Sequence, residues 1–213
     1  MDADEAWTTL AVERRALADL LEGLSDEQWQ TQSLCGSWTV RGVTTHLMVG
    51  QTGSLPSFLT AMLRARGRFA RANEIMVDRK LDRPTSAIVA DLRDHAEHRF
   101  TPPGFDWHAP LADFLVHRLD ALVPLGIDHG RPLDPWAPAL DQIVHPKAVG
   151  SFMDPGRPDL DLVATDVEWS SGSGPRVEAP AEALALALTR RPTDRLAELG
   201  GPGADTLRAW ARR

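Results

Sequence analysis

Apolar positions recur at three- and four-residue steps through most of the first 150 residues, the signature of amphipathic helices. Trp7, Leu10, Leu17, Leu21 and Leu24 mark the inner stripe of a first helix over about Ala3 to Gly23, opened by acidic residues and weakened at Gly23. Ser25 to Trp29 reads as one short turn of helix, and a loop follows to Ser37. A second long helix starts at Thr39, whose hydroxyl can cap the free amides of its first turn, with Val40, Val43, Leu47 and Gly50 inward. Pro56 interrupts the pattern, so the helix kinks or restarts before Phe58, Leu59, Met62 and Leu63. A further short helix is expected over Asn73 to Lys80, and a third long one from Thr85 to about Arg99, with Ile88, Val89, Leu92 and Ala96 inward. Thr101-Pro102-Pro103-Gly104 ends it, because two prolines cannot continue a helix. A fourth long helix follows from Pro110 to Val123 and stops at Pro124-Leu125-Gly126, and a fifth segment runs from Asp134 to about Val149.

Near Gly150 the period changes. Asp154-Pro155-Gly156-Arg157-Pro158-Asp159 is turn chemistry, and Leu160 to Thr165 and Asp166 to Trp169 alternate as half-buried strands do. Ser170 to Pro175 reads as a loop into a short strand at Arg176 to Glu178, followed by helices at Ala181 to Thr189 and Ala204 to Trp210. The expected fold is mainly α: a helical bundle over residues 1–150 and a small α/β region over 151–213 packed on it. There is no internal repeat and no low-complexity tract.

A chain of 213 residues, 43% of them hydrophobic, can bury one good core. Its net charge of -7 argues against a nucleic-acid partner, which requires clustered positive charge. Cys35 is the only cysteine, which excludes an intrachain disulfide and fits a reducing compartment. The N-terminus is acidic where a signal peptide is basic, and no apolar run approaches the ~20 residues that span a bilayer. The expectation is a cytoplasmic, soluble protein, monomeric or homodimeric, with no membrane partner.

The candidate chemistry lies in the fourth long helix. Asp113 and His117 are four residues apart among Leu111, Phe114, Leu115, Val116, Leu119 and Leu122, so both side chains leave one face a turn apart. His46 lies beside the inner stripe of the second long helix. If these two helices are neighbours, His46, Asp113 and His117 converge on one divalent ion and leave a coordination position open. The other reading is an ordinary Asp–His hydrogen bond and a packed core histidine. His95 and His98, at i and i+3, sit among Arg93, Asp94, Glu97 and Arg99 and read as a solvated face, as does the basic run Arg64, Arg66, Arg68 and Arg71. Cys35 reads as a small packed residue or as a thiol near the metal, and Trp38 as helix-entry packing.

The stretch Leu34-Cys35-Gly36-Ser37-Trp38-Thr39-Val40-Arg41-Gly42-Val43-Thr44-Thr45-His46-Leu47 resembles the mycothiol-dependent maleylpyruvate isomerase family, part of the DinB-like four-helix bundle superfamily. Asp113 to Asp120, then Pro124-Leu125-Gly126, resemble the family's carboxylate-x-x-x-His segment and its continuation, and Leu162 to Trp169 with Ala179 to Leu184 resemble its tail. The resemblance implies a metal held by His46, Asp113 and His117, most readily Zn²⁺, with Mn²⁺, Ni²⁺ or Fe²⁺ also suited to nitrogen and oxygen ligands. It implies mycothiol as a thiol cosubstrate and a transferase or isomerase reaction on a small electrophile. The alternative on the same bundle is a non-catalytic metal- or ligand-binding sensor. Two departures stand out. Asp113 occupies a position where the family pattern has Glu, so the helices must approach more closely or a water must bridge. Gly42 stands where Asp or Glu is common, which removes half of a capping box at a cost of ~0.5–1 kcal/mol. Arg190 and Arg191 fall where family tails carry Arg, and closing a surface helix accounts for them equally well.

Overall fold

The computed structural model describes every residue except Ser37, His129 and 149–154. Among them it is mainly helical, with one small sheet near the C-terminus. It divides into two compact units, Met1–His129 and Gly130–Arg213.

In the first unit, α1 (Ala3–Glu22) begins at a capping box: Glu5 N–H donates to the Asp2 carboxylate and Asp2 N–H to the Glu5 carboxylate, both at 2.9 Å. Ser25 and Gln28 repeat the device at α2 (Asp26–Gln30). The helix α3 (Val40–Thr52) starts where Thr39 was expected to cap it, its hydroxyl accepting from Gly42 N–H at 3.3 Å. The restart at Pro56 is α4 (Leu55–Arg64), followed by α5 (Phe69–Asp78). Ala61, Ala65 and Ala72 make the close α4–α5 contact, with Met62, Ile75 and Met76 around it.

The helix α6 (Thr85–Asp94) is shorter than its periodicity suggests. Arg14 of α1 donates to the carbonyls of Ala96 and His98 at 2.8 Å each, and Pro102 has no N–H with which to satisfy His98 had the helix continued. His95 and His98 are exposed, as are Arg64, Arg66, Arg68 and Arg71. The helix α7 (His108–Leu122) starts two residues before Pro110, with the Asp106 carboxylate accepting from His108 N–H at 3.0 Å, and ends in a 3-10 turn closed by left-handed Gly126. Helices α1, α6, α3 and α7 close a four-helix ring, each of α1 and α3 packing on both α6 and α7. Leu10, Leu17, Leu21, Val43, Met48, Ile88, Leu92, Leu111, Leu115 and Leu119 fill its interior.

The second unit begins before the change of period at Gly150. Its α8 (Trp136–Val144) packs on α9 (Ala181–Leu188), although the expected division near residue 150 grouped that segment with the bundle. The expected end of this segment at Val149 and the first residue of the Asp154 turn lie outside the described residues. The sheet has the order β2–β1–β3, formed by β1 (Asp161–Ala164), β2 (Ser170–Gly172) and β3 (Arg176–Ala179). β1 runs antiparallel to β2 and parallel to β3, with Leu162 opposite Val177.

The strand expected at Asp166–Trp169 is a turn instead. The Asp166 carboxylate accepts from Ala181 N–H at 2.8 Å, supplying the cap that Pro180 cannot, and the strand falls on Ser170–Gly172, where a loop was expected. Gly172 permits the close pairing, since its φ is +91° and a Cβ there would meet the Leu160 carbonyl at 2.2 Å. Every residue of α9 is buried, so this helix is apolar all round apart from Glu182, which Arg195 meets at 2.6 Å. No helix among the described residues is long and apolar enough to cross a membrane.

Candidate metal centre

The neighbouring helices α3 and α7 bring His46, Asp113 and His117 together. Periodicity places Asp113 and His117 on one stripe of α7, and the buried face of α3 turns His46 toward it. One ligand atom from each of the three lies within 4.8 Å of the other two. His46 Nε2 is 3.3 Å from Asp113 Oδ2, and His117 Nε2 is 3.5 Å from Asp113 Oδ1. The shorter Asp therefore reaches both rings.

These spacings are informative. A charged N–H···O⁻ bond closes to ~2.7–2.9 Å. Two ligands bound at ~2.0–2.1 Å across a tetrahedral ion stand about 3.4 Å apart. The observed separations match the second case. The Asp113 side chain is 46% exposed while His46 and His117 are 8% and 12% exposed, so the cluster is walled on the imidazole side and open on the carboxylate side.

Asp120, one turn beyond His117 on α7, is fully buried and lies 2.8 Å from His117 Nδ1. A carboxylate there holds a proton on Nδ1 and turns Nε2 toward Asp113, so that Nε2 is the nitrogen a metal would take in place of its proton. Burial of the ring disfavours the imidazolium, yet the Asp113 charge and the hydrogen bonds to Asp120 and Cys35 outweigh it and push His117 up to about 10. The site is thus an environment that attracts positive charge. His46 Nδ1 is buried and has no hydrogen-bond partner among the described residues.

Trp38 forms one wall. Its ring stacks on His46 with centroids 5.3 Å apart and meets His117 at 6.4 Å, while the two imidazoles pack edge-on at 4.7 Å. Gly42 makes this possible. It lies one turn from both Trp38 and His46 along the same helical face, and a Cβ at Gly42 would stand 3.0 Å from the Trp38 Cβ. The glycine that forfeits half of a capping box thereby leaves room for the tryptophan.

Residues 10–101 match the family model of the mycothiol maleylpyruvate isomerase N-terminal domain. Over that stretch, less than half of the chain, the sequence is similar to this family. The match spans α3 and His46 and ends before α7, so Asp113 and His117 rest on the geometry alone. No curated protein and no solved structure matches the chain.

The three converging residues and a thiol at Cys35 are among the sequence expectations, whereas Asp120 and Arg14 are not. Asp120 was detectable as i+3 from His117 and i+7 from Asp113 on one helical stripe. Arg14 was detectable too, as a charge within the apolar stripe of α1 between Leu10 and Leu17. It is buried, which lowers it to about 10 against the opposing pull of Asp113. The cluster Cys35, His117 and Asp120, whose ligand atoms also lie within 4.8 Å of one another, depends on a loop conformation that no periodicity reveals.

Proposed function

We propose that this protein is a divalent-metal-dependent enzyme that uses mycothiol to transfer a thiol to, or isomerise, a small electrophile. The observation that carries this reading is the 3.3–3.5 Å spacing of His46 Nε2 and His117 Nε2 about the Asp113 carboxylate. The family of residues 10–101 supports the thiol, and the donor set of two imidazoles and one carboxylate supports Zn²⁺, with Mn²⁺, Ni²⁺ or Fe²⁺ as alternatives. Bound there with a position open, the ion would lower the pKa of a thiol and make it a thiolate nucleophile at neutral pH.

The chain's own residues prepare that chemistry. His46, Asp113 and His117 would hold the ion. Asp120 keeps the His117 proton on Nδ1 and the ring in register. Trp38 stacks on His46 and shields the imidazole side, and half-exposed Asp113 marks the side from which a thiol and an electrophile can enter.

Incubating the metal-loaded protein with mycothiol and a chromogenic aryl halide tests the proposal. Metal-dependent loss of free thiol, abolished by a chelator and by His117→Ala, is the expected result. Tight thiol binding with no product from any electrophile tried would contradict turnover and assign the bundle to a binding or sensing protein.

A further inference from the structure

Cys35, His117 and Asp120 form a donor set distinct in composition from the first, offering sulfur, nitrogen and oxygen instead of two nitrogens and a carboxylate. The thiol is held in place by its loop. Leu34 N–H donates to the Asp120 backbone carbonyl at 3.1 Å, tying the loop to the last turn of α7. Cys35 N–H donates to Ser33 Oγ at 3.1 Å and Trp38 N–H donates to the Cys35 carbonyl at 3.1 Å, which closes a turn around the cysteine. Asp120 lies on the Nδ1 side of the His117 ring, opposite the Nε2 that faces Asp113. His117 therefore belongs to both donor sets.

We propose that Cys35, His117 and Asp120 form a second metal site, selective for a thiophilic d¹⁰ cation such as Cd²⁺ or Cu⁺. Thiolate sulfur favours soft ions, whereas the His46–Asp113–His117 set has no sulfur and suits borderline ones. Asp120 is fully buried, so a cation beside it offsets a carboxylate removed from water. A cation on the Nδ1 side replaces the proton that otherwise bonds to Asp120 and adds positive charge beside Nε2, so a soft ion in the second set weakens binding of the ion in the first. Only this weakening rests on the function proposed above.

The test is a Cd²⁺ titration of the full chain, followed by thiolate-to-cadmium charge-transfer absorption in the ultraviolet. Cys35 is the sole cysteine, so the band has one possible source. Wild type and His46→Ala should each bind one equivalent with similar affinity. Asp120→Asn, His117→Ala and His117→Gln, each with native circular dichroism, should raise the apparent Kd by at least ~10-fold, the scale of losing an anchoring partner. Should a variant fail to fold, those that fold decide the matter. Equal affinity in every variant that retains Cys35 would show capture by a lone thiol and overturn the proposal, as would absence of the band in wild type. The failures separate cleanly. A wild type that holds Zn²⁺ or Mn²⁺ through His46 but shows no thiolate band refutes only this second site. A wild type that shows the band but takes no ion through His46 refutes only the first.

Discussion

Two polar clusters lie in the bundle, contributed by adjacent residues of α7. Arg118 turns toward α1, where its guanidinium forms an ion pair with Glu13, both 2% exposed. His117 turns toward α3 and meets Asp113 at 3.5 Å, near His46. The first cluster holds a cation in direct contact with an anion. The second gathers two carboxylates around His117, Asp120 at a hydrogen-bonding 2.8 Å and Asp113 at 3.5 Å, wider than a charged hydrogen bond, and opens to solvent at Asp113. A buried cation in direct contact with an anion has its charge met within the fold, whereas a set that draws positive charge and stays open can take up an ion.

The largest effect expected from breaking this contrast lies in the closed cluster. Glu13→Ala would remove the carboxylate in direct contact with the buried Arg118 charge and cost ~3–5 kcal/mol, seen as a lower midpoint in urea unfolding, with metal affinity in the folded protein unchanged. Second is Asp120→Asn, which keeps the shape but removes the charge fixing the His117 proton. Its expected effect is a ~10–100-fold loss of metal affinity by competition titration, with far less loss of stability than Glu13→Ala.

The third prediction uses pH. His117 is raised from 6.5 to about 10 in the folded protein, so the stabilisation it contributes is fully present below its unfolded value and is lost as pH rises through about 10. The metal-free protein, melted in chelator, should lose stability between neutral pH and about 10, and His117→Gln should flatten that slope. Metal uptake should run the other way, strengthening by up to ~10-fold per pH unit over the same window as the competing proton leaves. The smallest effect is at Gly42. In Gly42→Ala the ~0.5–1 kcal/mol gain in helix propensity is opposed by the 3.0 Å contact with Trp38, so stability should change by less than ~1 kcal/mol. Displacement of the ring should shift tryptophan fluorescence and weaken metal affinity a few-fold.

The contrast also marks what the sequence makes legible. Asp113 and His117 share a helical stripe by periodicity, and Thr39 marks the start of α3 by its capping chemistry, because both are local properties. Where local pattern misled, a long-range partner had intervened. The periodicity of α6 runs to Arg99, but Arg14 from α1 takes its last carbonyls. Alternation at Asp166–Trp169 suggests a strand, but Asp166 caps α9. The division near Gly150 follows a change of period, whereas α8 packs on α9, an apolar contact that spacing alone does not assign to a unit. At the site, the position of Trp38 depends on the missing Cβ of Gly42, a steric fact visible only once the ring is in place.

The most direct measurement is metal content by mass spectrometry of untagged wild-type protein beside His46→Ala and His117→Ala variants of confirmed fold. Near-stoichiometric metal in the wild type that is lost in both variants is the predicted result. A wild type that holds no metal even after incubation with Zn²⁺, Mn²⁺ or Ni²⁺, or variants that hold as much as the wild type, would contradict it.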